Sequence, residues 1–492
     1  MNLQKARKVI VVLLVQLMAL SALAIDVDID GISYSISSNN GNAEVIKCNG
    51  GYSGHIFIPE QVEHEGVTYT VTSIGDGAFW YCGEVYSVNM PNTITSIGKE
   101  AFRGCQAMLT ADLPPHLTTI GEGAFYGCSS LTGMDVPEGI TRIEKETFSQ
   151  CEQLFVLALP NGLKSIGESA FSGCSALTFT SIPETVEEIG YSAYIGCVSL
   201  TEMVVPNSVH GIGNSVFKGC KNLKRVIIGK DGGGIGEKAF SGCSSLEQIN
   251  LARNARMIGS EAFKGCAQLR SIVLSDSLTH IGRSAFEGCK VLANVALPKS
   301  LLAIGQNAFS ECAALGDIVI PKDCILDSYA FAECTGLSSV VLEEGITTIT
   351  ERVFYGCSNL SMVSIPNTVY HIGYWAFSYC PKLMDVSCYA QTPPTAYSPY
   401  SGANAFSGSI SENTTLHVPA SAISDYMAAD TWKEFGKVVA LSDQELAVRQ
   451  TTANGDTPTH YYNIGGQSIG KPQRGVNIVR LNDGRIIKVF GK

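Results

Sequence analysis

Residues 281–303 read IGRSAFEGCKVLANVALPKSLLA, and the next two residues, Ile304 and Gly305, begin the same pattern again. This stretch decides the fold, because its cysteine returns at a fixed interval along most of the 492-residue chain. Fourteen cysteines follow one another at steps of 23 residues, with a single step of 22 before Cys334. They are Cys82, Cys105, Cys128, Cys151, Cys174, Cys197, Cys220, Cys243, Cys266, Cys289, Cys312, Cys334, Cys357 and Cys380. A fixed period of this length indicates a repeat array rather than several independent domains.

Other residue types keep a fixed distance from each cysteine. An aromatic residue stands three positions before it in every repeat, and leucine stands three positions after it in twelve of the fourteen. Ile-Gly usually precedes the aromatic residue, and an alternating stretch such as Val295-Ala296-Leu297-Pro298 follows the leucine. The alternation predicts a short strand with one face inward, and the proline ends its pairing. Glycine after isoleucine permits a tight corner or a positive φ. Each repeat is therefore expected to form one coil of a mainly β solenoid.

A single coil is not expected to be stable by itself. The conformational entropy lost in ordering one repeat exceeds what its few buried apolar side chains return. The coils must therefore stack, with backbone hydrogen bonds between neighbours. An open stack exposes apolar end faces and strand edges, so we expect a cap at each end.

The cysteines themselves allow more than one interpretation. Equivalent Cα atoms in stacked coils lie about 4.8 Å apart, within reach of a disulfide, but their Cβ vectors run parallel, whereas a disulfide needs a dihedral of about 90°. We therefore expect free, buried thiols, and we interpret Cys324 and Cys388, which fall on inward positions, in the same way. Cys48 lies outside the array and its state is left open. The sequence contains no Cys-x-x-Cys pair, which argues against a structural zinc site.

The segments outside the array have compositions of their own. Residues 1–24 place a basic start, an apolar run and small residues in the order of a secretory signal peptide, and the apolar run is too short to span a bilayer. We divide the chain into a signal peptide (1–24), an N-terminal cap with a β-hairpin insertion (25–72), the solenoid (73–388), a degenerate last coil with a C-terminal cap (389–441), a linker (442–458) and a β-hairpin tail (459–492).

Charge and residue pattern exclude several classes of function. The formal net charge of −11 disfavours a nucleic-acid partner, because an acidic surface repels phosphate. The eight histidines are scattered, and no set of nucleophile, base and acid converges in the pattern. We expect no catalytic residue, no cofactor and no metal ion.

The repeats resemble the BspA-like leucine-rich repeat family of bacterial surface proteins, over about residues 55–441. The resemblance implies a right-handed solenoid of about 14 coils of 23 residues, capped at both ends. The tail, with Gly466-Gln467, Lys471-Pro472 and Lys488-Val489, resembles the C-terminal sorting signals of type IX secretion in Bacteroidota. Relatives in the family are linked to adhesion, to host matrix proteins such as fibronectin and fibrinogen, and to co-aggregation with other bacteria. The resemblance therefore implies a protein partner of this kind and a location at the cell surface or outside the cell.

The outward position of each strand, seven residues after the cysteine, is the first candidate for a contact surface. From the sixth repeat to the twelfth this position is mostly aliphatic, and Phe155, Val156 and Phe179 extend it. The candidate partner-binding residues are Phe179, Val204, Ile227, Val273, Val319 and Val341. The alternative, that β-branched residues simply suit a strand, has equal weight.

Aromatic residues at positions that we expect to be exposed form a second candidate surface: Trp80, Tyr81, Tyr374, Trp375 and Tyr379. The leading hypothesis is a non-enzymatic, exported surface protein that mediates protein–protein interaction or adhesion through the curved face of a leucine-rich repeat solenoid. The alternatives are a carbohydrate-directed binding module and a purely structural spacer at the surface.

Overall fold

The computed structural model describes residues 24–178, 181–230, 233–397 and 403–442, together with the backbone of four strands between residues 458 and 491. The fold is a β-solenoid of about 16 turns of roughly 23 residues, with little helix, which confirms the fold class predicted from the repeats. The chain divides into two compact units, an N-terminal unit (Met1–Ala252) and a C-terminal unit (Arg253–Lys492). Residues 1–23 of the predicted signal peptide and residues 443–457 of the predicted linker lie outside the described residues.

The N-terminal unit consists of short strands joined by turns. Its described strands are β1 (Ile25–Ile29), β2 (Ile32–Ser37), β3 (Asn42–Val45), β4 (Gly54–Phe57), β5 (Gln61–His64), β6 (Val67–Ile74), β7 (Val85–Asn89), β8 (Ser96–Ile97), β9 (Thr110–Asp112), β10 (Thr119–Ile120), β11 (Gly133–Asp135), β12 (Arg142–Ile143), β13 (Val156–Ala158), β14 (Ser165–Ile166), β15 (Glu188–Ile189), β16 (Glu202–Val205), β17 (Arg225–Ile228) and β18 (Gln248–Ile249).

Most coils contribute two strands rather than the one that the alternating pattern predicts, and in a few described coils an isolated bridge takes the place of a strand, as at Ile212 and Ile235. The longer strands form the parallel ladders β4–β7–β9–β11–β13 and β16–β17–β18, with partners 23 residues apart such as Val204 and Ile227. A second parallel ladder consists of two-residue strands that end at the isoleucine before the glycine, as in β8 and β10, and it begins on the last two residues of the longer strand β6. Two residues are too few to produce a recognisable alternation, which is why the sequence pattern missed them.

An antiparallel sheet covers the start of the N-terminal unit. Strands β1, β2 and β3 form a meander, β3 joins β6 in parallel, and β5 and β6 form a hairpin. Tyr52 closes the aromatic column at this end, because its ring lies 4.6 Å from the ring of Phe79 and its hydroxyl donates a hydrogen bond to the Ile46 carbonyl (2.7 Å). The apolar face of the first coil is thereby covered.

The C-terminal unit repeats the same arrangement. Its described strands are β19 (Met257–Ile258), β20 (His280–Ile281), β21 (Ala303–Ile304), β22 (Ile318–Ile320), β23 (Ile325–Leu326), β24 (Ser339–Leu342), β25 (Thr348–Ile349), β26 (Met362–Ile365), β27 (His371–Ile372), β28 (Asp385–Cys388), β29 (Thr415–Val418), β30 (Lys437–Ala440), β31 (Pro458–Tyr462), β32 (Ser468–Ile469), β33 (Gly475–Leu481) and β34 (Ile486–Gly491). The longer strands β22–β24–β26–β28–β29–β30 pair in parallel, and β31 to β34 form an antiparallel sheet.

A helical segment covers the last coil of the C-terminal unit. It contains one α-helix, α1 (Ile423–Ala428), flanked by the 3₁₀ turns Ala420–Ala422 and Trp432–Glu434. The ring of Phe406 ends the aromatic column and meets the rings of Trp432 (5.6 Å) and Phe435 (5.3 Å) edge-on. The Trp432 indole N–H donates to the Pro394 carbonyl (2.7 Å), so the buried polar atom of this cap is satisfied.

Candidate interaction surfaces

The interior corner of every coil positions the strands, and it is built from the aromatic and cysteine columns. In the N-terminal unit the rings from Phe79 to Phe240 stack on one another with centroids 4.9 to 5.7 Å apart. From Cys105 to Cys243, each thiol of the column donates a hydrogen bond to the carbonyl of the aromatic residue in the preceding coil, as Cys128 does to Phe102 (3.1 Å). The Phe102 N–H in turn donates to the Ala124 carbonyl of the following coil (2.7 Å). The corner is thus fixed by ring stacking and by hydrogen bonds between coils.

The cysteines are free thiols, as predicted, and the structure assigns Cys48 to the same class. The thiols of the fourteen repeats are buried, as are those of Cys324 and Cys388, whereas Cys48 is half-buried. Burial raises the pKa of Cys128 and Cys289 to about 12. The thiolate is the nucleophilic and metal-binding form of cysteine, so a thiol held neutral in the interior serves packing rather than chemistry.

Two glycine columns shape the corner, for different reasons. A Cβ on Gly121, in the Ile-Gly pair, would lie 2.5 Å from the Lys99 nitrogen of the preceding coil, and its φ is not in the left-handed region. Gly127, before the cysteine, has a φ of +70°, and a Cβ there would make only an ordinary contact with Gly104 at 3.8 Å. Of the two roles expected for the Ile-Gly glycine, a tight corner or a positive φ, the positive φ is wrong, and the tight corner takes the form of a close approach to the preceding coil. Left-handed φ values belong instead to the residue before the cysteine and to the residue five positions before it, as at Gly123 (+58°).

In the N-terminal unit, the structure brings two of the predicted contact residues together. Val204 and Ile227 are register partners in β16 and β17, and their side chains are 37% and 47% exposed. Beside them, Arg225 forms an ion pair with Glu202 (3.7 Å). An aliphatic pair flanked by charges is therefore available on this strand face. Phe179, the remaining candidate in this unit, lies outside the described residues.

Within the N-terminal unit, the aliphatic column ends at Asn250. Strands β17 and β18 pair over only two residues, and the Asn250 side chain then replaces the ladder by accepting from the Ile228 N–H (2.9 Å) and donating to the Ile228 carbonyl (2.8 Å). The sequence pattern treated this position as one more outward side chain. The Asn250 amide instead forms the hydrogen bonds that the backbone would make where regular strand pairing stops. This position is two residues before the end of the unit at Ala252.

In the C-terminal unit the predicted residues differ in exposure. Val273 is 80% exposed, and only an isolated bridge between Ser271 and Asn294 pairs its segment within the unit. Val319 in β22 and Val341 in β24 are register partners, but Val319 is 37% exposed and Val341 is half-buried. The outward orientation predicted for this position holds, and the accessible aliphatic area is largest at Val273.

Three of the five aromatic residues of the second candidate surface, Trp80, Tyr374 and Trp375, hold cations of the chain. The Lys47 ammonium lies 4.4 Å from the ring centroid of Trp80. The Arg352 guanidinium lies 4.9 Å from Tyr374 and 4.3 Å from Trp375, and the Glu351 carboxylate is 3.8 Å away. These contacts leave Tyr374 and Trp375 half-buried. Both rings therefore serve packing within the corner.

Sequence reasoning missed a groove beside this surface in the C-terminal unit. The groove has a volume of about 530 Å³, and its sides include Glu333, Tyr355 and Tyr379, with Gly356 as its floor. The rings of Tyr355 and Tyr379 meet edge-on with centroids 5.3 Å apart, and Tyr379 is 58% exposed. The signal in the sequence was the replacement of glycine before the cysteine, at Glu333 and again at Tyr379.

Among the described residues, no group of three or more His, Cys, Asp or Glu side chains could hold a metal ion. None of the helices in the described part of the chain is both long and apolar enough to cross a membrane.

The repeat pattern matches the profile of the BspA type leucine-rich repeat region, in six overlapping copies over residues 72–200, 165–289 and 256–384. The chain belongs to this family. No curated protein matches it. Among solved structures, a leucine-rich repeat protein from Bacteroides ovatus is 27% identical, with a TM-score of 0.53 and coverage of 85% of this chain and all of the other. That likeness supports the solenoid fold of this BspA-type chain.

Two further structures are similar to this BspA-type chain at lower scores. A leucine-rich cell surface protein from Faecalibacterium prausnitzii is 22% identical, with a TM-score of 0.38, and the match covers 77% of this chain and 98% of the other. The pneumococcal vaccine antigen PcpA is 17% identical, with a TM-score of 0.46, and the match covers 85% and 99%. Leucine-rich repeat solenoids are generally non-enzymatic, and membership of the BspA-type family suggests a protein-interaction or surface role.

Proposed function

We propose that this chain is a non-enzymatic interaction protein that binds a protein partner through the outward side chains of its longer strands. The observation that carries the proposal is the exposure of aliphatic side chains at the outward strand position, with Val204 and Ile227 side by side in one unit and Val273 in the other. Apolar and aromatic side chains form the desolvated centre of protein interfaces, with charged groups at the rim. The ion pair of Glu202 and Arg225 supplies such a rim beside Val204 and Ile227.

Surface location and adhesion follow from the family and from the sequence of the two termini. The signal-peptide pattern of residues 1–24 and the tail pattern of residues 459–492 support export, and one similar structure is of a cell surface protein. In this proposal the chain is held at the cell surface or released from it. Its partners are host matrix proteins such as fibronectin and fibrinogen, or the surfaces of other bacteria.

The proposal is tested with one double variant in each unit. Val204→Ser with Ile227→Ser changes the N-terminal unit, and Val273→Ser with Val319→Ser changes the C-terminal unit. The matched control is Leu302→Ser with Ile325→Ser, because these side chains are also exposed (50% and 69%) but do not stand at the outward position seven residues after a cysteine. Binding to immobilised fibronectin and fibrinogen is measured for each folded protein.

At least one of the two strand-face variants is expected to bind about tenfold more weakly, while the control binds as the unchanged chain does. The strand face is ruled out as the contact surface when both double variants bind at full strength. Matrix proteins are ruled out as partners when the unchanged chain binds neither of them.

A further inference from the structure

The groove beside Gly356 is lined by two residues that stand where the repeat usually has glycine before the cysteine. In all fourteen repeats the residue before the cysteine has a left-handed φ. It is usually glycine, as at Gly356 (+71°). Glu333 and Tyr379, in the coils on either side of Gly356, take the same conformation at φ 58°. Residues with a Cβ disfavour this conformation. Two of the residues that replace glycine in this column border one groove.

Elsewhere the same corner holds cations with rings and carboxylates. The Arg103 guanidinium lies 3.9 Å from the ring centroid of Tyr126, and the Glu100 carboxylate accepts from it at 3.2 Å. The Arg352 guanidinium lies 4.3 Å from the centroid of Trp375. A cation over an aromatic face is stabilised by the quadrupole of the ring, and a nearby carboxylate adds a charge-assisted hydrogen bond. Ring and carboxylate together thus form a recurrent cation site in this chain.

The groove also contains aromatic rings and a carboxylate, but no lysine or arginine of the chain's described residues lies among them. Arg103 and Tyr126 both stand two positions before a cysteine, in successive coils, so the arginine covers the ring of the next coil. Tyr355 stands at the same position, but its neighbours in that column are Ala332 and Ser378, which are small and buried. No basic side chain lines the groove, and in the described part of the chain Glu333 forms no ion pair.

We propose that this groove binds a lysine or arginine side chain of a partner polypeptide, a role that rests on the proposed function of the chain as a protein-binding molecule. The cation lies against the rings of Tyr355 and Tyr379 and pairs with the Glu333 carboxylate. The groove is open to solvent, and its volume of about 530 Å³ leaves room for one such side chain. The two rings stand at 66° to each other, which gives a corner for a compact cation rather than one flat platform for a sugar ring.

The test measures the binding of a capped peptide, acetyl-Gly-Arg-Gly-amide, to the full chain by saturation-transfer NMR. The comparison peptide carries citrulline, which has the shape of arginine without its charge. The variants are Glu333→Gly and Tyr379→Gly, which restore the residue usual in this column and relieve its left-handed strain. The matched control is Glu311→Gly, because Glu311 has the same column position and a φ of 61° but does not line the groove.

We expect the arginine peptide to bind in preference to the citrulline peptide. Glu333→Gly and Tyr379→Gly should each weaken its binding by about tenfold, while Glu311→Gly changes it by less than about twofold. The melting temperature should stay the same or rise in all three variants, so that lost binding is not lost folding. The Val204→Ser with Ile227→Ser variant should bind the peptide normally, which separates this site from the strand face.

Three results would overturn the proposal. The first is equal binding of the arginine and citrulline peptides. The second is full binding by both Glu333→Gly and Tyr379→Gly. The third is binding of a neutral oligosaccharide, maltotriose as the probe, that depends on Tyr379 but not on Glu333. Any of these can occur while the strand face still binds its partner, so a failure here is distinct from a failure of the proposed function.

Discussion

The interior corner and the strand face of the same coils follow opposite rules. At the corner, the same residue types recur from coil to coil, as the stacked rings of Phe286 and Phe309 show at 5.0 Å. On the strand face, the position seven residues after the cysteine changes from Asp135 to Ile227 to Ser364. The backbone ladder is similar beneath all of them. Residues are therefore repeated where coils must fit against each other, and they are free to vary where only solvent or a partner is in contact.

The largest effect expected from this contrast comes from the thiol column at alkaline pH. Burial raises the pKa of five thiols from 9.0 to about 12. They are Cys128, Cys174, Cys220, Cys289 and Cys334. The unfolded chain loses these protons at lower pH than the folded chain does. Their contribution to the free energy of unfolding is therefore fully present below pH 9 and falls as the pH rises towards 12.

At pH 10 the loss is on the order of 1 kcal/mol for each thiol, so the five together lower the free energy of unfolding by several kcal/mol. Urea unfolding in the presence of a reductant, at pH 8 and at pH 10, measures the difference. Equal stability at the two pH values would show that the thiols are not buried as neutral groups.

Substitutions in the two glycine columns compare, within one coil, the cost of a close contact between coils with the cost of a left-handed φ. Gly121→Ala places a methyl group 2.5 Å from the Lys99 nitrogen and should lower the free energy of unfolding by about 2–3 kcal/mol. Gly127→Ala, six residues later, meets no atom closer than 3.8 Å and adds only the left-handed strain, about 1 kcal/mol. Urea unfolding of both variants provides the measurement. The reverse order would contradict the assignment of close approach to the first column and conformation to the second.

The smallest effect on the free energy of unfolding is expected on the strand face, the outward positions seven residues after each cysteine. Val273→Ser removes a side chain that is 80% exposed, so the free energy of unfolding should change by less than about 0.5 kcal/mol. The same thermal or urea measurement checks it, with Val226→Ser, which changes a buried position of β17, as the contrasting variant. A large loss at Val273 would mean that this face is part of the packed structure and not a free surface.

The contrast also explains how much the sequence could predict. The aromatic and cysteine columns have a strict period, so coil stacking and buried thiols followed from spacing alone. The two-residue strands, such as Ser96–Ile97, have no alternation and emerge only when coils are stacked. The end of regular pairing at Asn250 depends on an amide that bonds to the backbone of the preceding coil, which residue type alone does not reveal.

The candidate surfaces show the same limit. The outward orientation of Val204 and Ile227 followed from alternation, but their exposed fractions depend on neighbours in adjacent coils. The groove needs Glu333, Tyr355 and Tyr379 from three successive coils. Glu333 and Tyr379 replace the glycine that is usual before the cysteine, but the same replacement occurs elsewhere, and the position of Tyr355 has no preferred residue type. The column pattern alone therefore does not single out these three residues.

Alkylation of the native chain with iodoacetamide, followed by intact-mass measurement, tests the central claim that the cysteine column lies inside the stacked coils. The chain has 17 cysteines, and Cys48 is the half-buried one among them. The account predicts rapid modification at Cys48 alone, and modification of all 17 thiols after unfolding without a reductant. Rapid modification of the repeat cysteines in the native chain, or fewer than 17 free thiols after unfolding, would contradict it.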